Sequence, residues 1–183
     1  MSEALNTPVM QIDSGQVAGL NIRHLHQDDL SSLEWEGEFK RFRKVYRLVF
    51  ERVKNGLAVM WGAELPGVGL IGQAFVQLKP ATPGKHLKRA MKAYIHSLRV
   101  RPAYRQAGVG SKIMQVLEDD LLRRGFTQVS LNVSRNNLAA RRLYSRRGYS
   151  IIKSVSGIWS YYDHLGILRN VHEPGWRMEK KLG

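Results

Sequence analysis

Apolar positions along the chain repeat with two different periods, and the longer of these predicts three helices. Between residues 39 and 53 they recur every three or four positions with basic residues among them, which is typical of an amphipathic helix that the Asn-Gly pair at 55–56 ends. Similar spacing predicts a second helix over 110–124 and a third that begins at Asn136 or Asn137.

The shorter period, together with short apolar runs, predicts the strands. A strand–helix–strand succession in the middle of the chain requires at least one parallel pair, because a tight hairpin joins only antiparallel strands. We therefore expect an α/β fold with a single mixed, mostly antiparallel sheet, a parallel pair within it and helices flanking it. The predicted strands are 20–25, 57–63, 70–78, 94–100, 128–133, 149–155 and 176–182.

The hydrophobic pattern predicts a single domain. Residues 1–18 are polar and aperiodic, which predicts a flexible N-terminal tail, and residues 19–183 are expected to share one core. Residues 80–92 are predicted as a basic loop. No run of apolar residues is long enough for a membrane span, and no apolar core follows a positive start. We expect a cytoplasmic protein with no membrane partner, and the sequence leaves a homodimer open.

Composition changes this picture in two respects. The chain has no cysteine, which excludes disulfides, thiolate metal ligands and a cysteine nucleophile, and we expect no metal site. Its net charge of +14 favours phosphate-rich ligands or nucleic acid. Nucleic acid is the less favoured of these, because the aromatic residues are not interleaved with Lys and Arg in an RNA-binding pattern.

The strongest candidate site is the turn between the strand 94–100 and the helix 110–124. Here Gly108 and Gly110 bracket the predicted start of the helix, and Arg105 precedes them. Unpaired amides and the positive end of the helix dipole favour a phosphate there, and glycine lets that phosphate approach the backbone closely. A strand-to-helix turn with a structural role alone would also account for the two glycines.

Several ordered motifs resemble those of one family, the GCN5-related N-acetyltransferases, known as GNAT. Arg105-x-x-Gly108-x-Gly110 is similar to its Q/R-x-x-G-x-G/A signature. The resemblance covers roughly residues 20–182. The other matching segments are the lead-in Arg99-Val100-Arg101-Pro102-x-Tyr104-Arg105, the block Leu131-Asn132-Val133-x-x-x-Asn137-x-x-Ala140-x-x-Leu143-Tyr144-x-x-x-Gly148-Tyr149, and the final Met178-Glu179-Lys180-Lys181-Leu182.

The resemblance implies the acyl-CoA N-acyltransferase fold, in which the parallel pair splays apart at the cofactor cleft. It also implies an enzyme that moves an acetyl group directly from acetyl-CoA, as co-substrate, to a primary amine of a small molecule, peptide or protein. Two alternatives stay open. One is a family member that binds acyl-CoA as a sensor without catalysis, and the other is a basic nucleic-acid-binding module.

Particular cofactor-binding residues follow from the matching positions. In the family, backbone groups of the strand before the signature bond the pantetheine arm, and the amides of the signature, with the residue after it, take the pyrophosphate. Asn137 matches a position whose side chain contacts the cofactor arm, and it is also a candidate helix cap. The implied cofactor-binding residues are Leu98, Arg99, Val100, Arg105, Gln106, Ala107, Gly108, Val109, Gly110, Ser111 and Asn137.

One catalytic residue is implied as well. Tyr144 matches the tyrosine that protonates the departing thiolate in many members, whereas its helical spacing with Ala140 and Leu143 would by itself predict a core position. Relatives that acetylate ribosomal-protein N-termini carry a glutamate as the base in the strand where this chain has Asn132. An amide cannot act as that base, so their substrate does not carry over.

The base and the acceptor site are left with several candidates. His96, Glu64, Asp163 and His164 are candidate bases, and a chain of water molecules is an alternative. Two aromatic segments are candidate walls of the acceptor cleft. These are the acidic run Glu34-Trp35-Glu36-Gly37-Glu38, which suits a cationic amine, and Ile158-Trp159-Ser160-Tyr161-Tyr162-Asp163.

Overall fold

The structure is a computed structural model that describes residues 17–79 and 91–183. The tail predicted for residues 1–18 and the loop predicted for residues 80–92 therefore fall almost entirely outside the described residues. No helix within the described ranges is long and apolar enough to span a membrane.

Helices and strands alternate largely as the hydrophobic periods predict. The α-helices are α1 (Arg43–Lys54), α2 (Val109–Arg123) and α3 (Leu138–Arg146), and short 3₁₀ helices lie at Gln27–Glu34, Lys40–Phe42 and Pro102–Tyr104. The strands are β1 (Asn21–His24), β2 (Ala58–Leu65), β3 (Gly69–Lys79), β4 (Lys92–Val100), β5 (Gln128–Ser134), β6 (Ser150–Val155), β7 (Ile158–Tyr162), β8 (Leu168–His172) and β9 (Gly175–Lys181).

The main sheet has seven strands in the order β1-β2-β3-β4-β5-β9-β6. Its neighbouring strands are antiparallel except for β4 and β5, which are parallel. The α2 helix is the crossover that makes this pair possible, because parallel strands need a long connection. The predicted mixed, mostly antiparallel sheet with a parallel pair is therefore confirmed.

Both faces of the sheet are covered at its centre. On one face α2 and Tyr144 of α3 pack with alternate residues of β2–β5, including Ile95. On the other face Phe42 and Tyr46, from the start of α1, pack on Phe75 of β3. Different helices therefore cover the two faces of the sheet, and each face has its own hydrophobic core.

The strands β7 and β8 have no counterpart among the predicted strands. They form a separate antiparallel hairpin, and Tyr161 packs on Phe42 with ring centroids 4.9 Å apart. Most hydrophobic side chains of this hairpin stay in solvent, and Ile158 is 72% exposed. The hairpin has no alternating apolar face to bury, which is why the hydrophobic pattern gave no strand signal there.

A buried carboxylate joins α2 to α3 and β9. Glu118 is 5% exposed and accepts hydrogen bonds from Arg147 (2.9 Å), Lys180 (2.6 Å) and the Tyr149 hydroxyl (3.1 Å). Arg147 also donates to the carbonyl oxygen of Ser111 at 3.2 Å. This network therefore fixes the first turn of α2 against α3.

Candidate active site

A gap opens between the two parallel strands. The strands β4 and β5 pair only from Lys92–Gln128 to Ile95–Leu131, although β4 continues to Val100. The cause lies on the other edge of β4, where the register with β3 shifts beside Ser97, whose φ is +55°. A bulge of this kind bends and twists a strand, so β4 turns away from β5 beyond Ile95.

The turn that follows β4 presents free backbone amides. Gln106 and Gly108 have φ angles of +65° and +81°, and Gly108 is the N-cap of α2. Among the described residues, none of the amides from Gln106 to Ser111 donates to a backbone oxygen. These amides and the α2 dipole form an anion site of the kind that helix N-termini provide.

The two glycines serve this turn in different ways. A Cβ at Gly108 would meet no atom within 4 Å, so glycine is needed there for its positive φ and leaves the space in front of it open. A Cβ at Gly110 would lie 3.4 Å from Leu143 of α3, so glycine there allows α2 and α3 to approach. Open amides with free space in front of them fit a pyrophosphate.

The residues implied for the pantetheine arm lie along the unpaired part of β4. Leu98 and Val100 pack their side chains against the core beneath α2. The Arg99 side chain points to the opposite face, where Nη1 donates to the Tyr46 hydroxyl at 3.0 Å. The edge of β4 that faces β5 has no strand partner over these residues. The Val100 carbonyl oxygen accepts from Arg105, and the other backbone groups of this edge are open to a ligand in the gap.

Arg105 and Asn137 make local contacts on either side of the gap. The Nε of Arg105 donates to the carbonyl oxygen of Val100 at 3.0 Å, which ties the turn to the end of β4. The Oδ1 of Asn137 accepts from the amide of Ala140 at 3.0 Å, so Asn137 caps α3 as its sequence position predicts. Contacts of either side chain with a cofactor stay predictions.

Tyr144 is buried on α3, with 6% of its surface exposed. Its ring lies 5.9 Å from that of Tyr149, and no described residue forms a hydrogen bond with its hydroxyl. Burial, with a smaller contribution from Tyr94 of β4, raises the pKa of Tyr144 to about 12. The phenol is therefore protonated at neutral pH and can donate a hydrogen bond.

Two of the four candidate bases are engaged elsewhere. Glu64 accepts from Arg23 at 2.7 Å and lies on β2, which β3 separates from β4. Asp163 accepts from the amides of Leu165 and Ile167 and from Arg169, which fixes the turn between β7 and β8. Burial raises the pKa of Asp163, but these hydrogen bonds outweigh it and hold the pKa below its usual value.

The two histidines have partly buried rings. His164 lies in the turn between β7 and β8, and no described residue forms a hydrogen bond with its buried Nδ1. His96 lies on β4, and its ring packs between those of Tyr94 and Phe75, with centroids 5.9 and 5.7 Å away. Burial, with Arg52 and Arg99 nearby, lowers the pKa of His96 to about 4, so the imidazole is neutral at pH 7.

This depressed pKa predicts acid-sensitive stability. The unfolded chain binds a proton at His96 near pH 6.5, whereas the folded chain does so only near pH 4, so stability falls as pH drops through this window. Between about pH 7 and pH 5 we expect a loss of about 2 kcal/mol from this group. Urea denaturation of the wild type and of His96→Asn at both pH values measures it. An equal pH dependence in both proteins would contradict the assignment.

The acidic segment Glu34–Glu38 is largely neutralised by arginines. Glu34 receives two hydrogen bonds from Arg43, at 2.5 and 2.8 Å, and Glu36 receives two from Arg101, at 2.7 and 2.9 Å. These hydrogen bonds lower the pKa of both carboxyl groups. The two carboxylates are therefore not free to bind a cationic amine.

A buried polar side chain beside Arg99 was not among the predicted site residues. Gln73 lies opposite Arg99 in the β3–β4 ladder and is completely buried. Its position in the apolar run 70–78 was the available signal, because a polar residue inside a buried strand needs a partner. Asn132, in contrast, lies on the exposed side of β5 and accepts from Arg177 at 2.6 Å. Across the described ranges, no three His, Cys, Asp or Glu side chains come together as a metal site would require.

Comparison with known families gives one match that covers most of the chain. The model of the acetyltransferase (GNAT) family matches residues 22–149, which include α1, α2, α3 and the turn between β4 and α2. The match extends over more than half of the 183 residues.

Solved structures with the same fold come from several organisms. The ribosomal-protein-S18-alanine N-acetyltransferase from Escherichia coli is 18% identical with a TM-score of 0.65, over 90% of this chain and 94% of that one. NAA60 from Arabidopsis thaliana in complex with acetyl-CoA is 20% identical with a TM-score of 0.66, over 89% and 98%. An N-acetyltransferase from Staphylococcus aureus Mu50 is 14% identical with a TM-score of 0.69, over 91% and 100%.

Proposed function

Since the chain belongs to the acetyltransferase (GNAT) family, we propose that it transfers an acetyl group directly from acetyl-CoA to a primary amine of a small molecule or peptide. The observation that carries this proposal is the row of free amides at the start of α2, directly beside the gap between β4 and β5. One strand edge and one helix N-terminus thus face the same space, which suits a ligand with an amide-containing arm and a pyrophosphate.

Each part of the cofactor has a matching surface. The backbone of Leu98, Arg99 and Val100 binds the pantetheine arm along the unpaired edge of β4. The amides of Gln106, Ala107, Gly108, Val109, Gly110 and Ser111 bind the pyrophosphate, and Arg105 adds positive charge at the mouth of the turn. Asn137 contacts the arm from the start of α3 while it caps that helix.

In the transfer, a bond forms between the amine nitrogen and the acyl carbon as the carbon–sulfur bond breaks. Tyr144 holds a proton on its phenolic oxygen, donates it to the sulfur as negative charge develops there, and regains a proton from solvent once the thiol has left. The amine gives up its own proton. With a pKa of about 4, His96 is a weak base, so we expect that proton to pass to water.

The cofactor claim is tested with a glycine substitution. Acetyl-CoA at 100 times its Kd should stabilise the wild type by about 2.7 kcal/mol, measured as a rise in Tm. In Gly108→Trp the side chain fills the space in front of the amides, and we expect this stabilisation to disappear. Gly67→Trp is the matched control, because Gly67 also has a positive φ (+73°) and nothing within 4 Å of its Cβ position.

The control separates backbone strain from loss of the binding site. Both substitutions force a bulky residue into the left-handed region, so both should lower the Tm of the free protein. Only Gly108→Trp should lose the response to acetyl-CoA. If acetyl-CoA leaves the wild-type Tm unchanged, the proposal fails. If acetyl-CoA binds but no amine in a broad panel releases free thiol, a non-catalytic sensor is the better account.

A further inference from the structure

Arg99 is a half-buried cation without a carboxylate partner among the described residues. Its guanidinium lies over the rings of Phe39 and Phe42, 4.3 and 4.7 Å from their centroids, and donates to the Tyr46 hydroxyl. Its neighbour Arg101 forms a bidentate salt bridge with Glu36, whereas Arg99 forms no salt bridge with a described residue. A charge removed from water is costly unless an opposite charge compensates it, so this site favours an anion.

Other polar groups on the same side of the sheet also have no partner. The Gln73 side chain is completely buried, and neither its Nε2 nor its Oε1 has a hydrogen-bond partner among the described residues. Cross-strand partners on antiparallel strands share a face, so Gln73 and Arg99 are side-chain neighbours. Trp35 Nε1 and His96 Nε2 are likewise buried without a partner.

Aromatic contacts connect these groups into one cluster. The Trp35 ring lies 5.1 Å from that of Phe39, and the Arg99 guanidinium stacks on Phe39. The His96 ring lies 5.7 Å from that of Phe75, on which Tyr46 packs. Buried polar groups are nearly always hydrogen-bonded in folded proteins, so several unpaired groups in one place indicate a ligand or ordered water.

The cluster lies beside the gap, on the face of the sheet away from α2. Arg99 follows the bulge at Ser97, in the part of β4 that does not pair with β5. The side chains of Leu98 and Val100 point to the α2 face, whereas Arg99 points to the face covered by α1. An anion held by Arg99 is therefore next to the gap but on the side away from α2.

We propose that this cluster binds a carboxylate of the acceptor, so that the substrate is an amine that carries a nearby carboxylate. The inference rests on the proposed acetyl transfer and specifies its acceptor. Arg99 donates charge-assisted hydrogen bonds to the carboxylate, the Gln73 amide group adds a neutral donor, and Phe39 and Phe42 contact the carbon chain. Arg99 is the partly buried cation here, whereas Arg41 on the same rings is exposed to water. One shielded positive charge favours a carboxylate over a phosphate dianion.

The carboxylate has two chemical sources, which separate arms of one assay distinguish. Free amino acids are compared with their α-amides, such as glycine with glycinamide. Tripeptide amides that begin with Asp or Glu are compared with those that begin with Asn or Gln. Thiol release from acetyl-CoA gives kcat/KM for each pair. In at least one arm we expect the wild type to prefer the carboxylate by about 10- to 100-fold, the range for hydrogen bonds to a charged group.

Three variants test whether the cluster causes this preference. Arg99→Gln should abolish it, and Arg99→Lys, which keeps the charge but not the planar fork, should keep part of it. Arg41→Gln is the matched control. Arg41 also stacks on Phe39 and Phe42, at 5.6 and 4.8 Å, but it is exposed and its Nη1 donates to the carbonyl oxygen of Glu38. Its loss should leave the preference unchanged.

A substitution at Gln73 separates the effect on binding from the effect on folding. Gln73→Leu removes two unpaired polar atoms from a fully buried site, so we expect an unchanged or higher Tm. The same substitution should weaken the carboxylate preference, which a purely structural role for Gln73 would not alter. Retention of the full preference in both Gln73→Leu and Arg99→Gln would overturn the inference.

The outcomes distinguish this inference from the proposed function. If acetyl-CoA raises the Tm and carboxylate-free amines react as well as or better than carboxylate-bearing ones, only the acceptor inference fails. If no acceptor in either arm reacts, the CoA-loaded wild type is tested directly for a rise in Tm, with glycine relative to glycinamide and with a tripeptide amide that begins with Glu relative to the one that begins with Gln. The absence of any such difference also overturns the inference.

Discussion

Tyr144→Phe is expected to lower kcat roughly 100-fold while the stabilisation by acetyl-CoA stays close to that of the wild type. The phenol is buried and protonated at neutral pH, since its pKa is raised to about 12, and no described residue competes for its hydroxyl. The substitution removes the hydrogen bond to the departing sulfur but keeps the ring, which packs from α3 into the core. Steady-state thiol release and the Tm with and without acetyl-CoA measure the two effects.

Tyr149→Phe is the matched control for this experiment. Its ring lies 5.9 Å from that of Tyr144, but its hydroxyl donates to Glu118 at 3.1 Å. We expect a loss of about 1 kcal/mol of stability with kcat nearly unchanged. The role of Tyr144 is contradicted if Tyr144→Phe turns over as fast as the wild type, or if Tyr149→Phe slows kcat equally.

Glu118→Ala is expected to lower the free energy of unfolding by about 3–5 kcal/mol. The Glu118 carboxylate, with 6% of its side chain exposed, compensates both Arg147 and Lys180, whose side chains are 18% and 25% exposed. Its loss leaves two partly buried cations without an anion. Because Arg147 also holds Ser111, the binding turn should loosen and the rise in Tm with acetyl-CoA should shrink.

Chemical denaturation of Glu118→Ala and Glu51→Ala tests this expectation. Glu51 pairs with Lys54 within α1, and the two side chains are 60% and 51% exposed. An exposed ion pair contributes little, so Glu51→Ala should change stability by less than about 1 kcal/mol. Similar losses in the two variants would mean that the buried network is not a significant source of stability.

The sequence predicted the sheet and its helices because their hydrophobic periods are strong. The run of apolar residues through β2 and β3 has both faces buried, and the three- and four-residue spacing of α1 and α2 matches the faces that pack. It failed at the hairpin of β7 and β8, where Ile158 and most other hydrophobic residues stay exposed. A strand that buries no face leaves no periodic trace in the sequence.

In the candidate site, too, the sequence reveals some features and not others. Glycines at 108 and 110 are visible in the sequence because a positive φ and a close helix contact each exclude larger residues. The engagement of Glu36 by Arg101 is not visible, since the two residues are 65 positions apart. The sequence alone favours cation binding by this acidic segment. In the folded protein, its Glu36 carboxylate is instead paired with Arg101.

By itself, the sequence determined the order along the chain of the three α-helices and of the strands in the main sheet, the parallel pair and the turn from Arg105 to Gly110. These features depend on local backbone preferences and on hydrophobic periods, which neighbouring residues encode. The family resemblance implied that the parallel pair splays apart, but only the tertiary structure placed the splay beyond Ile95. It also decided that Arg99 faces the buried, unpaired Gln73 without a carboxylate of its own. Burial and charge compensation depend on residues far apart in the chain, and it is folding that brings them together.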